Sequence, residues 1–411
     1  MKNKNSGARR HALLTLTIFA TYAIFGLADA ARGPAIPRIQ ADLAVTELQI
    51  ALLLTNNTAG YLASCSLTAA LARRVGMKAC LITGLAISAA SGLIICFAPG
   101  YAVLVGAFFI LNFGFGMLEI SLGILSAATF TKKTGTMINL AHFFYGAGAV
   151  VSPVLSIGLM TATFGRTLLG WRYMYLIILS LMLLPAIPAF IMPLLRREHD
   201  KAKTGYAALL RNPTLWLLIA ILSFGATCEI GCVAWLANFL EKAYAFTPEQ
   251  AALQLTLFFV CFAGARLLAG PAADRFGLIK ALVVLTAFAG TMIGLGLLLG
   301  EPGAPLLVIA GLGASPVFPM VMAVTAKLFA DEIDLAMTAI TTAMGIILIP
   351  ANMAVGAVIT WTRPVFEAAG GEGGVRGAYM AGYSFLGFCC FGACVFSILL
   401  RKRQKKAGRL V

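Results

Sequence analysis

The segment GPAADRFGLIK, residues 270–280, is a short charged stretch between two long apolar runs. Its distinctive residues are Gly270, Asp274, Arg275 and Gly277. Each flanking run reaches the roughly 20 residues that a helix needs to cross a bilayer. A charged turn between two such runs predicts a hairpin of two membrane helices whose connection lies in water.

Apolar runs of this kind recur along the whole chain of 411 residues, of which 60% are hydrophobic and only 11% charged. A soluble domain averages about 25% charged residues, so the composition predicts an integral membrane protein whose partner is the lipid bilayer. We count twelve membrane helices, which makes the predicted fold class all-α. They lie near 11–33, 48–72, 78–98, 101–130, 135–163, 171–195, 213–242, 248–273, 278–299, 303–330, 333–361 and 377–400.

The net charge of +15 lies in short clusters between the apolar runs. It forms no basic face interleaved with aromatic residues, so we predict no nucleic-acid partner. The N-terminus, the even-numbered connections with the adjoining helix ends, and the C-terminal tail hold 23 of the 31 lysines and arginines. Segments rich in lysine and arginine face the cytoplasm. Both termini are therefore predicted to be cytoplasmic, in a multi-pass protein of a bacterial inner membrane.

An internal repeat relates the two halves of the chain at an offset of 201 residues. It aligns Arg73-Arg74-Val75-Gly76 with Asp274-Arg275-Phe276-Gly277, and Thr46-Glu47-Leu48-Gln49 with Thr247-Pro248-Glu249-Gln250. Each pair falls in a corresponding connection, which predicts two pseudo-symmetric six-helix bundles around a midplane site. The predicted domains are an N-terminal bundle over 1–195, a cytoplasmic linker over 196–212 and a C-terminal bundle with a basic tail over 213–411.

GPAADRFGLIK resembles a loop motif of the major facilitator superfamily, G-x-L-A-D-R-x-G-x-K/R. The resemblance implies a gating motif made of Gly270, Asp274, Arg275 and Gly277. In it the acid caps a neighbouring helix or pairs with a base, while the glycines allow close helix approach and a tight turn. In the first half Arg73 stands where the motif has its acid, so only the second half is expected to form the latch.

A narrower resemblance links the chain to the fucose–galactose–hexose:proton symporter branch of that superfamily. It rests on GMLEISLG (116–123), INLAHFFYGAGAVVSP (138–153), EIGCVAWLANFL (229–240), CFAGARLLAG (261–270) and GLGASPVFPMVMA (311–323). The resemblance implies that Glu119, the acid of the fourth helix, takes part in proton coupling. It also implies a sugar or similar small polar solute.

Charged residues inside the predicted helices are the first site candidates, because a charge at the bilayer centre costs about 2.5–3.5 kcal/mol. Leaving aside those at the helix ends near connections, the candidates are Asp29, Arg32, Glu119, Glu229 and Arg266. A buried acid can take up a proton on one side and release it on the other, so Glu119 and Asp29 are the candidate proton carriers. Glu119 could instead be a permanently protonated or arginine-paired structural acid. Asp29 could instead only neutralise Arg32, three residues on.

The candidates for solute binding are polar or aromatic positions in the helices: Asn56, Asn57, Asn139, His142, Tyr145, Glu229, Trp235, Arg266 and Asn352. Asn139 and His142 share one helix face, and we expect them near the depth of Glu119. His142 could equally be a packing residue. Glu229 could line a cavity or close an outer gate, and Arg266 could hold an anion or pair with an acid.

Several classes of function lack their motifs. The nine cysteines form no CxxC pair or Cys/His spacing, so no metal site is predicted. The chain has neither a GxxxxGK[ST] loop nor an HExxH motif. We therefore predict a monomeric, non-enzymatic transporter without a cofactor, driven by the proton gradient.

The leading hypothesis is proton-coupled uptake of a sugar or similar small polar solute by alternating access. The alternatives are a drug:proton antiporter, an organic-anion carrier of the same fold, and a scaffold that only retains the fold.

Overall fold

The computed structural model describes the chain outside residues 1, 46, 166, 192–205, 371–372 and 409–411. The described part is almost entirely helical. Its α-helices are α1 (Lys2–Ala30), α2 (Arg32–Leu43), α3 (Glu47–Val75), α4 (Met77–Cys96), α5 (Tyr101–Thr129), α6 (Thr134–Thr161), α7 (Gly170–Ser180), α8 (Leu183–Ile191), α9 (Tyr206–Leu210), α10 (Pro213–Tyr244), α11 (Pro248–Phe276), α12 (Leu278–Leu299), α13 (Ala304–Ile309), α14 (Gly311–Ala314), α15 (Val317–Leu328), α16 (Ile333–Gly370) and α17 (Gly373–Lys406). Two 3-10 helices, Glu301–Gly303 and Ala330–Glu332, and an antiparallel pair of two-residue strands, β1 (Thr163–Phe164) and β2 (Thr167–Leu168), accompany them.

Eleven helical stretches of the described chain are long and apolar enough to cross a membrane. They correspond to the predicted spans other than the second. That span is α3, which has 29 residues but carries Asn56 and Asn57, whose amides lower its hydropathy. The prediction of an all-helical membrane protein is confirmed, and the β1–β2 hairpin is a small addition to it.

Two of the spans are interrupted four residues before a proline. Proline lacks an N–H and its ring clashes with the carbonyl group four residues earlier. The turn at Leu181 lies four residues before Pro185. The turn at Ser315 lies four residues before Pro319. The second break is important below, because it presents the Ser315 side chain inside its unit.

The chain folds as two compact units. Unit 1 comprises Met1–Thr131, Ala141–Lys203 and Met337–Ala339, and unit 2 comprises Lys132–Leu140, Thr204–Ala336 and Ile340–Val411. Most of the predicted linker, 196–212, lies outside the described residues.

Within unit 1, small residues bring the helices into backbone contact. A Cβ atom on Gly116 of α5 would lie 2.5 Å from the carbonyl oxygen of Tyr61 in α3. A Cβ atom on Gly26 of α1 would overlap the carbonyl group of Tyr145 in α6, and one on Gly148 of α6 would overlap that of Ala23 in α1. Such small-residue contacts are how membrane helices approach closely without a hydrophobic driving force.

Within unit 2, α10 and α17 form an extensive helix pair. Its buried core includes Cys228, Leu236, Phe239, Leu386 and Cys390. The two helices are antiparallel, since Arg403 near the end of α17 bonds Thr214 at the start of α10. This pair forms one wall of the groove described further below.

Candidate functional site

Asp29 lies near the C-terminal end of α1 and has two side-chain partners. One of its carboxylate oxygens lies 2.8 Å from Nη2 of Arg32. The other accepts a hydrogen bond of 2.7 Å from the hydroxyl of Tyr145. The carboxylate is thus held by the guanidinium group of Arg32 at the start of α2 and by the Tyr145 hydroxyl of α6. Of its side chain, 23% stays exposed.

Tyr145 reaches Asp29 because α1 and α6 touch backbone to backbone. Gly26 is three residues before Asp29, and Gly148 is three residues after Tyr145. Each glycine lies where any larger side chain would meet the backbone of the other helix. Ser152 adds a second link, since its hydroxyl donates to the carbonyl oxygen of Leu27 at 2.6 Å. The crossing therefore fixes the depth at which the tyrosine meets the acid.

Glu119 lies half-buried on α5 in the same unit. It interacts electrostatically with Tyr61 and Cys65 of α3 and with Tyr145 of α6. The Tyr145 hydroxyl is therefore a neighbour of both acids of unit 1. The ring of Phe25 packs edge-on against that of Tyr145, with ring centroids 5.2 Å apart.

His142 is buried on α6 against Tyr22 of α1, with ring centroids 4.8 Å apart. Its Nε2 atom lies 3.5 Å from the Tyr22 hydroxyl. Asn139, one turn earlier, is fully buried and donates to the carbonyl oxygen of Gly135. Its Oδ1 atom has no hydrogen-bond partner in the described structure.

The two asparagines of α3 have different environments. The Asn56 amide donates a 2.9 Å hydrogen bond to the carbonyl oxygen of Val105 in α5. Asn57 is 2% exposed, and neither its Oδ1 nor its Nδ2 atom has a partner among the described residues. A buried polar atom without a partner costs about 1–3 kcal/mol. In the described part of α3, the Asn57 amide is therefore the group that would gain most from hydrogen bonds to a polar molecule.

In unit 2, Glu229 of α10 and Arg266 of α11 form a membrane-embedded ion pair. Oε1 and Nη2 lie 3.4 Å apart, and the two side chains are 16% and 4% exposed, respectively. The Arg266 Nε–H donates to the Ser315 hydroxyl at 3.0 Å, and its guanidinium lies 4.4 Å from the ring centroid of Phe262. Ser315 in turn donates to the carbonyl oxygen of Phe262 at 2.7 Å.

Removing one partner of this ion pair is expected to destabilise the protein. Arg266→Met leaves the carboxyl group of Glu229 buried without its cation, and Glu229→Gln removes the anion from Arg266. A buried charge that loses its partner costs about 3–5 kcal/mol. We expect each single variant to unfold at a lower temperature in detergent and the double variant to recover part of the loss. Additive losses would show that the two residues are not coupled.

The remaining solute candidates lie on α10 and α16. Trp235 is half-buried, and its ring carbons lie 3.5 Å from the position of a Cβ atom on Gly356. Asn352 lies in α16, but its side chain is outside the described residues.

The C-terminal end of α11 caps the start of α6. The two carboxylate oxygens of Asp274 accept hydrogen bonds from the backbone N–H groups of Gly135 and Thr136, at 2.8 and 2.7 Å. The Thr136 hydroxyl donates a third, of 2.7 Å. These N–H groups are otherwise without partners at a helix start, where the dipole also favours an anion.

The two glycines of the motif, one inside α11 and one directly after it, have distinct structural roles. A Cβ atom on Gly270 would lie 2.7 Å from the Cα of Thr136, so glycine lets the two helices approach. Gly277 has a φ angle of 95°, which favours glycine. Arg275 is exposed, with its guanidinium 5.5 Å from the ring centroid of Phe276.

Sequence reasoning missed Tyr61, Cys65 and Ser315 as neighbours of the membrane charges. Tyr61 and Cys65 follow Asn57 at intervals of four residues, so they share its helix face. That periodicity could have suggested them. No comparable sequence signal pairs Ser315 with Arg266, since they are 49 residues apart.

Three comparisons relate the chain to known proteins. The family model described as Major Facilitator Superfamily matches residues 18–241, more than half of the chain. A nitrite extrusion protein of Bacillus subtilis (strain 168) is 27% identical over 204 residues, which are 46% of each protein. The chain thus spans about half the length of that relative.

Two solved structures share the fold over nearly the whole chain. A variant of the fucose:proton symporter FucP of E. coli covers 95% of this chain and 99% of its own, at 17% identity with a TM-score of 0.78. The proton:xylose symporter XylE, bound to 6-bromo-6-deoxy-D-glucose, covers 95% of both chains, at 14% identity with a TM-score of 0.77.

These TM-scores establish the fold, and the family model establishes the membership. The membrane helices agree with both. The chain belongs to the Major Facilitator Superfamily, a family of non-enzymatic transporters, and is a multi-pass membrane protein.

Proposed function

We propose that this protein is a proton-coupled symporter that takes up a sugar or a similar small polar solute by alternating access. The observation that carries the proposal is the position of Tyr145. Its hydroxyl binds Asp29 and lies within electrostatic range of Glu119, so two membrane acids share one neighbour. A proton taken up by either acid changes the field at the other.

The membrane acids favour proton coupling. Asp29 and Glu229 are paired with Arg32 and Arg266, and Glu119 is a further acid within a span. Protonation of such an acid removes a negative charge, and the energetic cost of a charge at the bilayer centre then favours moving the loaded, protonated site.

The surroundings of Tyr145 favour a small polar solute. Aromatic rings present flat apolar faces, and Tyr22, Phe25 and Tyr145 provide three of them next to the acids and His142. Asn57 adds an amide whose donors and acceptor have no partner in the described structure. In unit 1 we assign solute contacts to these residues together with Asn56. Asn139, Glu229, Trp235, Arg266 and Asn352 stay the predicted solute contacts of unit 2.

The pairing of the arginines bears on the choice between a neutral and an anionic solute. An anion carrier is the second candidate, because one relative is a nitrite extrusion protein and Arg32 is 38% exposed. Both arginines already have a carboxylate partner, however. An anion would have to displace that carboxylate, which favours the neutral solute.

The cap that Asp274 forms on α6 supports a gating role within this proposal. Asp274 makes three hydrogen bonds to the start of α6. α6 also carries Asn139, His142 and Tyr145. We infer that Gly270, Asp274, Arg275 and Gly277 form a latch that holds this helix in one conformation. We also propose that the protein lies in a bacterial cytoplasmic membrane.

Transport assays in proteoliposomes test the proposed function. We expect an inward proton gradient to drive accumulation of a radiolabelled hexose or pentose above its external concentration, and a protonophore to abolish it. Parallel assays use nitrite, an organic acid and a cationic drug. Uptake of nitrite or the acid with no sugar uptake would support the anion carrier, and drug export driven by the gradient would support the antiporter.

A further inference from the structure

Unit 2 contains an apolar groove of about 350 Å³ that the transport site does not use. Three helices line it: α10, α16 and α17. Its surface includes Trp216 and Phe224 of α10, Ile347 of α16, and Phe385 and Cys389 of α17. Trp216, Phe224 and Ile347 are 54%, 38% and 41% exposed, so the groove opens towards the surroundings of the protein.

The length of the groove along α10 matches the thickness of one leaflet of the bilayer's hydrocarbon core. Its α10 wall runs from Trp216 to Thr227, which are eleven residues apart. At 1.5 Å per residue this is about 16 Å. The hydrocarbon core of a bilayer is about 30 Å thick, so the groove is as long as one leaflet is deep. An acyl chain of a single lipid has this length.

Trp216 marks the end of the groove at the membrane interface. It lies in the first turn of α10, and its Nε1–H donates to the carbonyl oxygen of Leu210 at 2.7 Å, just before the helix begins. Tryptophan favours this level of a bilayer, where its ring is apolar and its N–H finds an acceptor. The opposite end of the groove, at Thr227, lies deeper in the membrane.

Basic side chains lie at the same end as Trp216. Arg403 is 18 residues after Phe385, which is five full turns, so both lie on one face of α17. Its Nε–H donates to Thr214 at 3.1 Å, and among the described residues the other four N–H groups of its guanidinium have no partner. Lys406 follows one turn later, and Arg211 precedes α10; both are exposed.

We propose that this groove is a binding site for an anionic phospholipid. One acyl chain lies along α10 between α16 and α17, and the phosphate of the headgroup lies against Arg403, Lys406 and Arg211. The apolar lining matches the chain, the length matches one leaflet, and the positive charge matches the headgroup. The site is distinct from Asp29, Glu119 and the Glu229–Arg266 pair, so it stands independently of the proposed transport activity.

Native mass spectrometry of the purified protein tests the proposal, with phosphatidylglycerol and phosphatidylcholine of identical acyl chains as probes. We expect wild-type protein to retain one phosphatidylglycerol in preference to phosphatidylcholine. Arg211→Gln/Lys406→Gln should weaken that binding roughly tenfold or more, because each basic residue at an anionic lipid surface contributes to affinity. Lys242→Gln/Lys280→Gln removes two exposed cations of the same unit elsewhere and should leave the preference unchanged.

Filling the groove tests the contribution of the acyl chain to binding separately from that of the headgroup. Ala220 of α10 and Ala351 of α16 both line it, and Ala220→Phe or Ala351→Phe should abolish retention of phosphatidylglycerol while every basic residue stays in place. Thermal unfolding in detergent shows whether each variant is folded. Because the two substitutions lie on different helices, the test can use one variant if the other does not fold. Equal retention of the two lipids by wild type, or an equal loss in both charge variants, would overturn the proposal.

Discussion

Glu119→Gln abolishes accumulation of solute against its gradient and leaves exchange of solute across the membrane intact. Glutamine keeps the size and hydrogen-bonding capacity of the side chain but carries no titratable proton. Downhill counterflow needs only that the loaded site alternates in access, whereas accumulation also needs a proton to bind and leave. We expect the ratio of internal to external solute to fall to about one, with counterflow reduced by less than tenfold.

Two further variants make this measurement specific. Asp29→Asn removes the other acid beside Tyr145 and should also reduce accumulation, since the two acids share that neighbour. Glu241→Gln makes the same chemical change near the end of α10 and should transport as wild type does. Gradient-driven accumulation that survives in Glu119→Gln would remove Glu119 from the proton pathway and leave Asp29 as the carrier.

Gly148→Ala prevents unit 1 from forming its native helix packing. The added methyl group would coincide with the carbonyl group of Ala23, and backbone cannot move aside as a flexible side chain can. Overpacking that only shifts side chains costs about 1–3 kcal/mol, so a clash with backbone is expected to exceed this range. We expect little monodisperse protein after extraction and size-exclusion chromatography. Gly26→Ala should have the same effect from the α1 side.

Gly158→Ala provides the matched control on the same helix. Gly158 also lies in α6, but a Cβ atom there meets nothing within 4 Å. In that exposed position alanine should stabilise the helix by roughly 0.5–1 kcal/mol. Wild-type yield and melting temperature for Gly148→Ala would contradict the packing of α1 against α6, and with it the geometry of the Asp29–Tyr145 hydrogen bond.

The membrane helices could be predicted because each span has a local signal. A run of apolar residues is sufficient to indicate a helix, and only α3 is ambiguous, since Asn56 and Asn57 interrupt its run. The Asp29–Arg32 contact could also be anticipated, because residues three apart on a helix are neighbours. The Asp274 turn could be recognised since its glycines and acid lie within eight residues.

The rest of the site depends on contacts between distant parts of the chain. Tyr145 was a solute candidate, but its bond to Asp29 joins residues 116 apart and depends on where α1 crosses α6. Helix periodicity gives the face of each helix but not the partner that it meets. The same limit applies to Arg266 and Ser315.

The crossing of α1 and α6 constrains how the site can change during transport. Because backbone meets backbone at Gly26 and at Gly148, neither helix can rotate or slide past the other without a clash. Asp29, Tyr145 and His142 then travel as one rigid body. In the proposed transport cycle, the hydrogen bond at Asp29 is therefore kept in every state, and only the side from which water reaches the carboxylate alternates.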